Sequence, residues 1–177
     1  QLGNTFEFFI FNQISNLSNI TIDGSEAGLV VLSHDGTPLR PIIWASDTTS
    51  EPDAQWCLKK CDEQWWAAEV GVIPDHSHTV TKLSWLHRSE PETWNKVHVA
   101  CSPADYIRWR LVNGAIGSMV TSTTDVERTA MWSTKNNMYS EAVLALIDGE
   151  RDWSKILPTV KPNGAIVGSL FGTLVNL

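Results

Sequence analysis

Residues 27–44, AGLVVLSHDGTPLRPIIW, constrain the fold most. Two short apolar runs flank His34-Asp35-Gly36. Runs of that length, rich in β-branched residues and joined through Asp-Gly, read as paired strands. The preceding NITIDG, from Asn19, alternates and reads as a further strand. From Ser50 the character changes. SEPDAQWCLKKCDEQWWAAEV reads as a helix with Ser50 as cap, Pro52 in the first turn and Asp53 at the capping-box position. Cys57, Cys61, Trp65 and Ala68 follow along one helical stripe. TVTKLSWLHRSEP reads as a second helix that stops before Pro91, EPETWNKV as a short helix, and HVACS as a buried strand. PADYIRWRLVNG starts at Pro103 and stops on Asn113-Gly114, while SEAVLALIDGE runs from a cap at Ser140 to Gly149. The opening TFEFFIFNQI fits a strand or a buried helix, and the glycine-spaced tail GAIVGSLFGTLVNL fits neither period. A β-rich start followed mainly by helices defines a mixed α/β fold.

With 177 residues the chain is expected to form a single domain. Its net charge is -7, and its 13 Lys and Arg are scattered without a basic stripe, which disfavours nucleic-acid binding. No apolar run approaches about 18 residues, so no membrane span is expected. The first residues lack a basic segment followed by an apolar one, so no signal peptide is evident. Three cysteines, an odd number, argue against a disulfide scaffold and suit a reducing cytosol, hence a cytoplasmic location. The chain begins at Gln1 and not at Met, as though cut from something longer.

The candidate chemistry is sparse. TSTTDVERTAMW holds one acid, Asp125, among hydroxyl residues. A catalytic base and a turn acid both fit it locally. Cys57-x-x-x-Cys61 lacks a second pair to complete a tetrahedral metal site, and His76-x-His78 reads as a polar loop. Free cysteines on an apolar stripe are commonly core. Trp65-Trp66 reads as core plus cover, and Trp85 and Trp109 as packing between helices.

Ordered blocks of this sequence resemble the N-terminal domain of the FGGY carbohydrate kinases, most closely the xylulokinases. ITIDGSEAGLVVLSHDGTPLRP resembles the family's strand-turn built around Q-x-H-G. TKLSWLHRSEPE and PADYIRWRLVNG resemble its two helical blocks, and RDWSKILPTV the helix and turn that follow. TSTTDVERTAMW is similar to the block containing S-D-A-S-G-T, with Thr121, Asp125, Thr129 and Trp132 matching. The resemblance covers roughly residues 17 to 168. It implies a partial actin-like, ribonuclease H-like α/β domain. It also implies a transferase that phosphorylates a terminal hydroxyl of a ketopentose or related polyol with ATP and Mg2+. Asp125 would take the general-base role and contact the substrate, as would Glu26 and Asp47. A homodimer is a further expectation.

The departures from the pattern matter equally. Ser25 stands at the family's Gln and Ala27 at its His, with only Gly28 retained. In ASDTT, Ala45 stands at Trp, Ser46 at Asn and Thr49 at Arg, with Asp47 retained. Val126-Glu127-Arg128 replaces A-S-G. No phosphate loop of the form D-x-G-T-x-S-x-K occurs, and the nucleotide-binding C-terminal domain is absent from residues 1–177. The expectation is therefore an incomplete N-terminal domain that is inactive by itself. The alternative is a non-catalytic kinase fragment acting as a sugar- or protein-binding module.

Overall fold

A computed structural model of the chain describes residues 19–22, 27–170 and 173–177. The opening TFEFFIFNQI lies outside the described residues, as do Ser25 and Glu26.

The first strand, β1 (Asn19–Thr21), falls where the alternation predicts it. It pairs in parallel with β9 (Thr173–Asn176), and β9 pairs antiparallel with β8 (Ile166–Leu170). The glycine-spaced tail is therefore strand. Its burial is irregular because the register shifts between Ile166 and Gly168, which breaks the period-2 pattern that sequence reading needs, and Gly168 packs against Val112. The hairpin at residues 27–44 exists only in part. β2 (Val30–Leu32) is regular and buried, but the returning segment touches it through two isolated bridges, Leu29 with Ile43 and Leu32 with Pro38. Pro38 and Pro41 lack the N–H groups a full ladder requires. The regular partner of β2 is instead the buried β3 (Val99–Cys101), in antiparallel register.

The long helix expected from Ser50 is two helices, α1 (Glu51–Lys60) and α2 (Glu63–Val70). Cys61 is extended, at φ -136° and ψ 136°, and Asp62 caps α2 by accepting the Trp65 N–H at 2.8 Å. An Asp N-cap side chain competes well with continued helix. The break rotates the apolar stripe, so Trp66 and Val70 are buried while Ala68 is exposed. Ser50 does not cap α1. Its hydroxyl donates to His76 O, and Asp53 turns inward to Arg88 and Ser84 in place of its own helix start.

The next helices are α3 (Thr79–Ser89) and α4 (Pro91–Trp94), with Pro91 starting the short one. α3 is the centre of the core. Val80, Leu83 and Leu86 are fully buried, and so are Thr81 and Lys82. Polar groups at such positions must find partners. Thr81 donates to the carbonyls of Asp75 and His78, and Ser84 to Asp53 Oδ1. Ser102 caps α5 (Pro103–Leu111) in a full capping box with Asp105. β4 (Val120–Ser122) runs into α6 (Thr123–Glu127) and pairs in parallel with β7 (Thr159–Lys161). β5 (Trp132–Ser133) and β6 (Met138–Tyr139) form a small ribbon, and α7 (Glu141–Asp148) starts at the predicted cap Ser140.

Trp109 does not pack between helices. Its indole lies over Gly36, where φ is +82°, and against Gly114, and its Nε1–H donates to Ala115 O at 3.0 Å. A Cβ at Gly36 would sit 2.7 Å from the ring, so the hairpin turn and the end of α5 are both glycine because of this one side chain. Trp85 is half-buried and carries the Arg40 guanidinium 4.9 Å above its ring.

Candidate sugar site

β1 and β4 each run parallel to a partner strand, β9 and β7, and Arg108 links Ile22, just past the end of β1, to Asp125, just past the end of β4. Ligands of α/β sheets collect beyond the carboxyl ends of the strands. Asp125 lies in the first turn of α6, directly after β4, with its N–H donated to the cap Ser122 Oγ at 3.0 Å. Its side chain is 15% exposed. Asp125 Oδ2 accepts from Arg108 Nη2 at 2.7 Å. The same Nη2 donates to Asp105 Oδ1 at 2.5 Å, and Nη1 donates to Ile22 O at 2.9 Å, one residue past β1. One buried guanidinium thus holds α5, α6 and the end of β1 together. Its Nε has no partner among the described residues. Asp105 is 2% exposed and also accepts the Ser102 N–H at 3.2 Å. Burial raises its carboxyl above the ordinary carboxylate range, and Arg108 pulls against that shift.

Two hollows adjoin at Ala27 and Arg128, and Asp125 lines the narrower of them. The narrow one is lined by Ala27, Thr79, Ser102 and Asp125. The wider one, about 660 Å³, shares Ala27 and Arg128 with it and adds Ser46, His76, His78 and Thr124. That volume suits a small ligand. Gly28 is needed beside it: a Cβ there would lie 3.1 Å from both Ile43 O and the Pro103 ring.

Asp47 sits on the loop that supplies Ser46. Its Oδ1 accepts the Thr49 N–H at 2.8 Å and the Thr49 hydroxyl at 2.5 Å, closing its own turn. The Thr49 hydroxyl, then the Thr49 N–H, hold the Asp47 carboxyl below its ordinary value. Lys82 Nζ donates to Asp47 O at 3.1 Å and to His76 O at 2.6 Å, so a fully buried cation straps together two loops that both contribute to the wider hollow. Burial lowers its pKa. The structure thus brings Asp125 to the narrow hollow, while Asp47 lies next to Ser46 of the wider one without lining it, and Glu26 lies outside the described residues.

Sequence reading missed Arg108, Asp105 and Lys82. The Asp105–Arg108 spacing of i, i+3 on one helix was the available signal. The histidine pair was read as plain loop, yet both are anchored: His76 Nδ1 lies 3.0 Å from Glu51 and His78 Nδ1 2.9 Å from Asp75. Among the described residues no group of three His, Cys, Asp or Glu could hold a metal ion. Burial pushes the Cys57 thiol up to about 12, so it is a protonated core residue and not a thiolate ligand.

Solved structures share this fold. The xylulose kinase from Bifidobacterium adolescentis superposes with a TM-score of 0.82 at 23% identity, over 93% of this chain and 42% of that one. The ligand-bound xylulose kinase from Lactobacillus acidophilus does so with 0.83 at 17% identity, over 98% and 37%. The architecture is that of an actin-like sugar kinase, in part. In sequence, the chain is 32% identical over 152 residues to the xylulose kinase of Streptomyces coelicolor, covering 85% of this chain and 30% of that protein. It is 30% identical over 152 residues to the enzyme of Streptomyces rubiginosus, with the same coverage. Residues 10–175 match the model of the FGGY family of carbohydrate kinases, N-terminal domain, and the chain belongs to that family. It spans about 30% of the length of these relatives.

Proposed function

We propose that this chain forms the sugar side of an ATP-dependent kinase that phosphorylates a terminal hydroxyl of a ketopentose, of the xylulose type. The observation that carries this reading is the pair of adjoining hollows beyond the carboxyl end of β4, with Asp125 lining the narrower one and Thr124 the wider one. The sequence carries no phosphate loop of the family's form. In this reading ATP and Mg2+ would be held by other parts of the polypeptide. The protein would be cytoplasmic and homodimeric. Among the described residues no helix is long and apolar enough to cross a membrane.

In this reading Asp125 is the general base, accepting the proton of the attacking hydroxyl. Glu26 and Asp47 would contact the substrate from the loops. The Arg108 pair favours a second role for Asp125. Proton uptake at Oδ2 would cost the ion pair, whereas a carboxylate locked by a guanidinium is a well-fixed hydrogen-bond acceptor for a sugar hydroxyl. Asp125→Asn in the full polypeptide separates the two. Loss of the base lowers kcat by about 10²–10⁴-fold, and loss of an acceptor alone raises the sugar KM with kcat retained. An ATP-consumption screen over pentoses and polyols tests the reading as a whole. Turnover on none of them, with sugar still bound, would favour the alternative of a non-catalytic sugar-binding module, which Ala27 and Ser25 at the polar loop positions support.

A further inference from the structure

We propose that His78 is a substrate-contacting residue of this site, holding a sugar hydroxyl through Nε2. The proposal rests on the sugar-kinase reading above and adds a residue to it.

His78 is the residue that starts α3, so its backbone is fixed by the most buried helix of the domain. Its side chain is 18% exposed and lines the wider hollow opposite Thr124 and Glu127. The ring is anchored on one side only. Nδ1 lies 2.9 Å from Asp75 Oδ1 and 3.1 Å from the Asp75 backbone nitrogen. Asp75 is itself fixed, since Oδ1 also accepts the Ser77 N–H at 2.7 Å and the Ser77 hydroxyl at 2.5 Å. Nε2 takes no hydrogen bond from the described residues. An imidazole oriented through one nitrogen presents the other to a ligand.

The chemistry of that ligand follows from the two contacts at Nδ1. If the Nδ1–H donates to the carboxylate, Nε2 is an acceptor. If Nδ1 accepts the Asp75 N–H, Nε2–H is a donor. A hydroxyl group satisfies either tautomer, because it both donates and accepts. Several other wall groups are apolar or already engaged. Ala27 and Ala45 present methyl groups, His76 is engaged by Glu51 at 3.0 Å, the Ser77 hydroxyl by Asp75 at 2.5 Å and the Thr124 hydroxyl by Asn163 at 2.6 Å, so His78 would share the ligand with Ser46, Glu127 and Arg128. A small-ligand site needs a few fixed polar groups to set orientation, and His78 is a ring already fixed there.

The test uses the full polypeptide with D-xylulose as the probe. Adding the sugar to the wild type should shift the His78 Nε2 resonance in imidazole 15N spectra while Nδ1 stays in place. His78→Phe, which keeps a ring without nitrogens, should raise the D-xylulose KM at least tenfold and leave the ATP KM and the unfolding midpoint unchanged. Asp75→Asn should give a smaller rise, by loosening the ring. If His78→Phe fails to fold, His78→Asn carries the same comparison. A sugar KM within twofold of wild type, or an Nε2 resonance unmoved at saturating sugar, overturns the role of His78 and leaves the kinase reading standing. A wild type that binds neither D-xylulose nor any other pentose overturns both.

Discussion

Replacing Arg108 with Met tests whether one guanidinium holds the site together. The side chain is 3% exposed and donates to Asp105 at 2.5 Å, to Asp125 at 2.7 Å and to Ile22 O at 2.9 Å. Removing it leaves Asp105, 2% exposed, with only the Ser102 N–H as a donor. Breaking a buried pair from one side costs about 3–5 kcal/mol, because the other charge stays behind. In a domain of this size each kcal/mol moves the midpoint by about 2–4 °C, so the unfolding temperature should fall by roughly 6–20 °C. Urea unfolding followed by tryptophan fluorescence measures the loss. The penalty should depend on pH with a definite sign. Burial already raises the Asp105 carboxyl in the folded chain, and loss of Arg108 raises it further. A carboxyl raised in the folded state favours folding when it is protonated, so the variant should recover part of its stability at pH 5 relative to pH 8. Adding Asp105→Asn should return more than half of the loss, since a neutral amide is far cheaper to bury. An Arg108→Met protein within about 1 kcal/mol of wild type, against the 3–5 expected, would refute the reasoning.

Other outcomes follow from single contacts. Thr49→Ala removes the hydroxyl that most lowers the Asp47 carboxyl, so its pKa should rise toward the ordinary 3.8 in an NMR titration. The stability that Asp47 contributes is present above that value and is lost as the pH falls through the depressed folded one, so the variant should lose the advantage specifically at neutral pH. Gly36→Ala forces a Cβ into the Trp109 ring at φ +82° and should cost about 1–3 kcal/mol, read by the same urea assay. A thiol reagent at pH 8 should modify Cys61 first, since Cys57 and Cys101 are buried with their thiols raised, and should reach all three only after denaturation.

Local signals in the sequence were legible where one or two residues decide the structure. The helix start at Pro103, the cap at Ser140, the stop at Asn113-Gly114 and the strand at Asn19 are of this kind, because a first-turn proline, an N-cap or a left-handed residue acts on its own turn. The break at Cys61 was hidden because the apolar residues on either side keep near-helical spacing, and only the Asp62 cap separates the two helices. The returning strand after Gly36 and the ribbon at the tail failed for the opposite reason. Prolines and glycines interrupt the period, while distant segments supply further pairing, β3 to β2 and β1 to β9. The site divides in the same way. Asp125 could be singled out from its own block, but its partner lies 17 residues away on another helix. Likewise Lys82, one polar residue among several on its helix, gave no sign that it straps two loops together.

The central claim is that this domain presents a sugar site beside Asp125. The most direct measurement is a titration of the full polypeptide with D-xylulose, followed by backbone amide shifts. The account predicts saturable shifts confined to Ala27, Ser46, His78 and Thr124–Asp125 around the hollows. Saturable shifts elsewhere, or none with this sugar and the other pentoses, would contradict it.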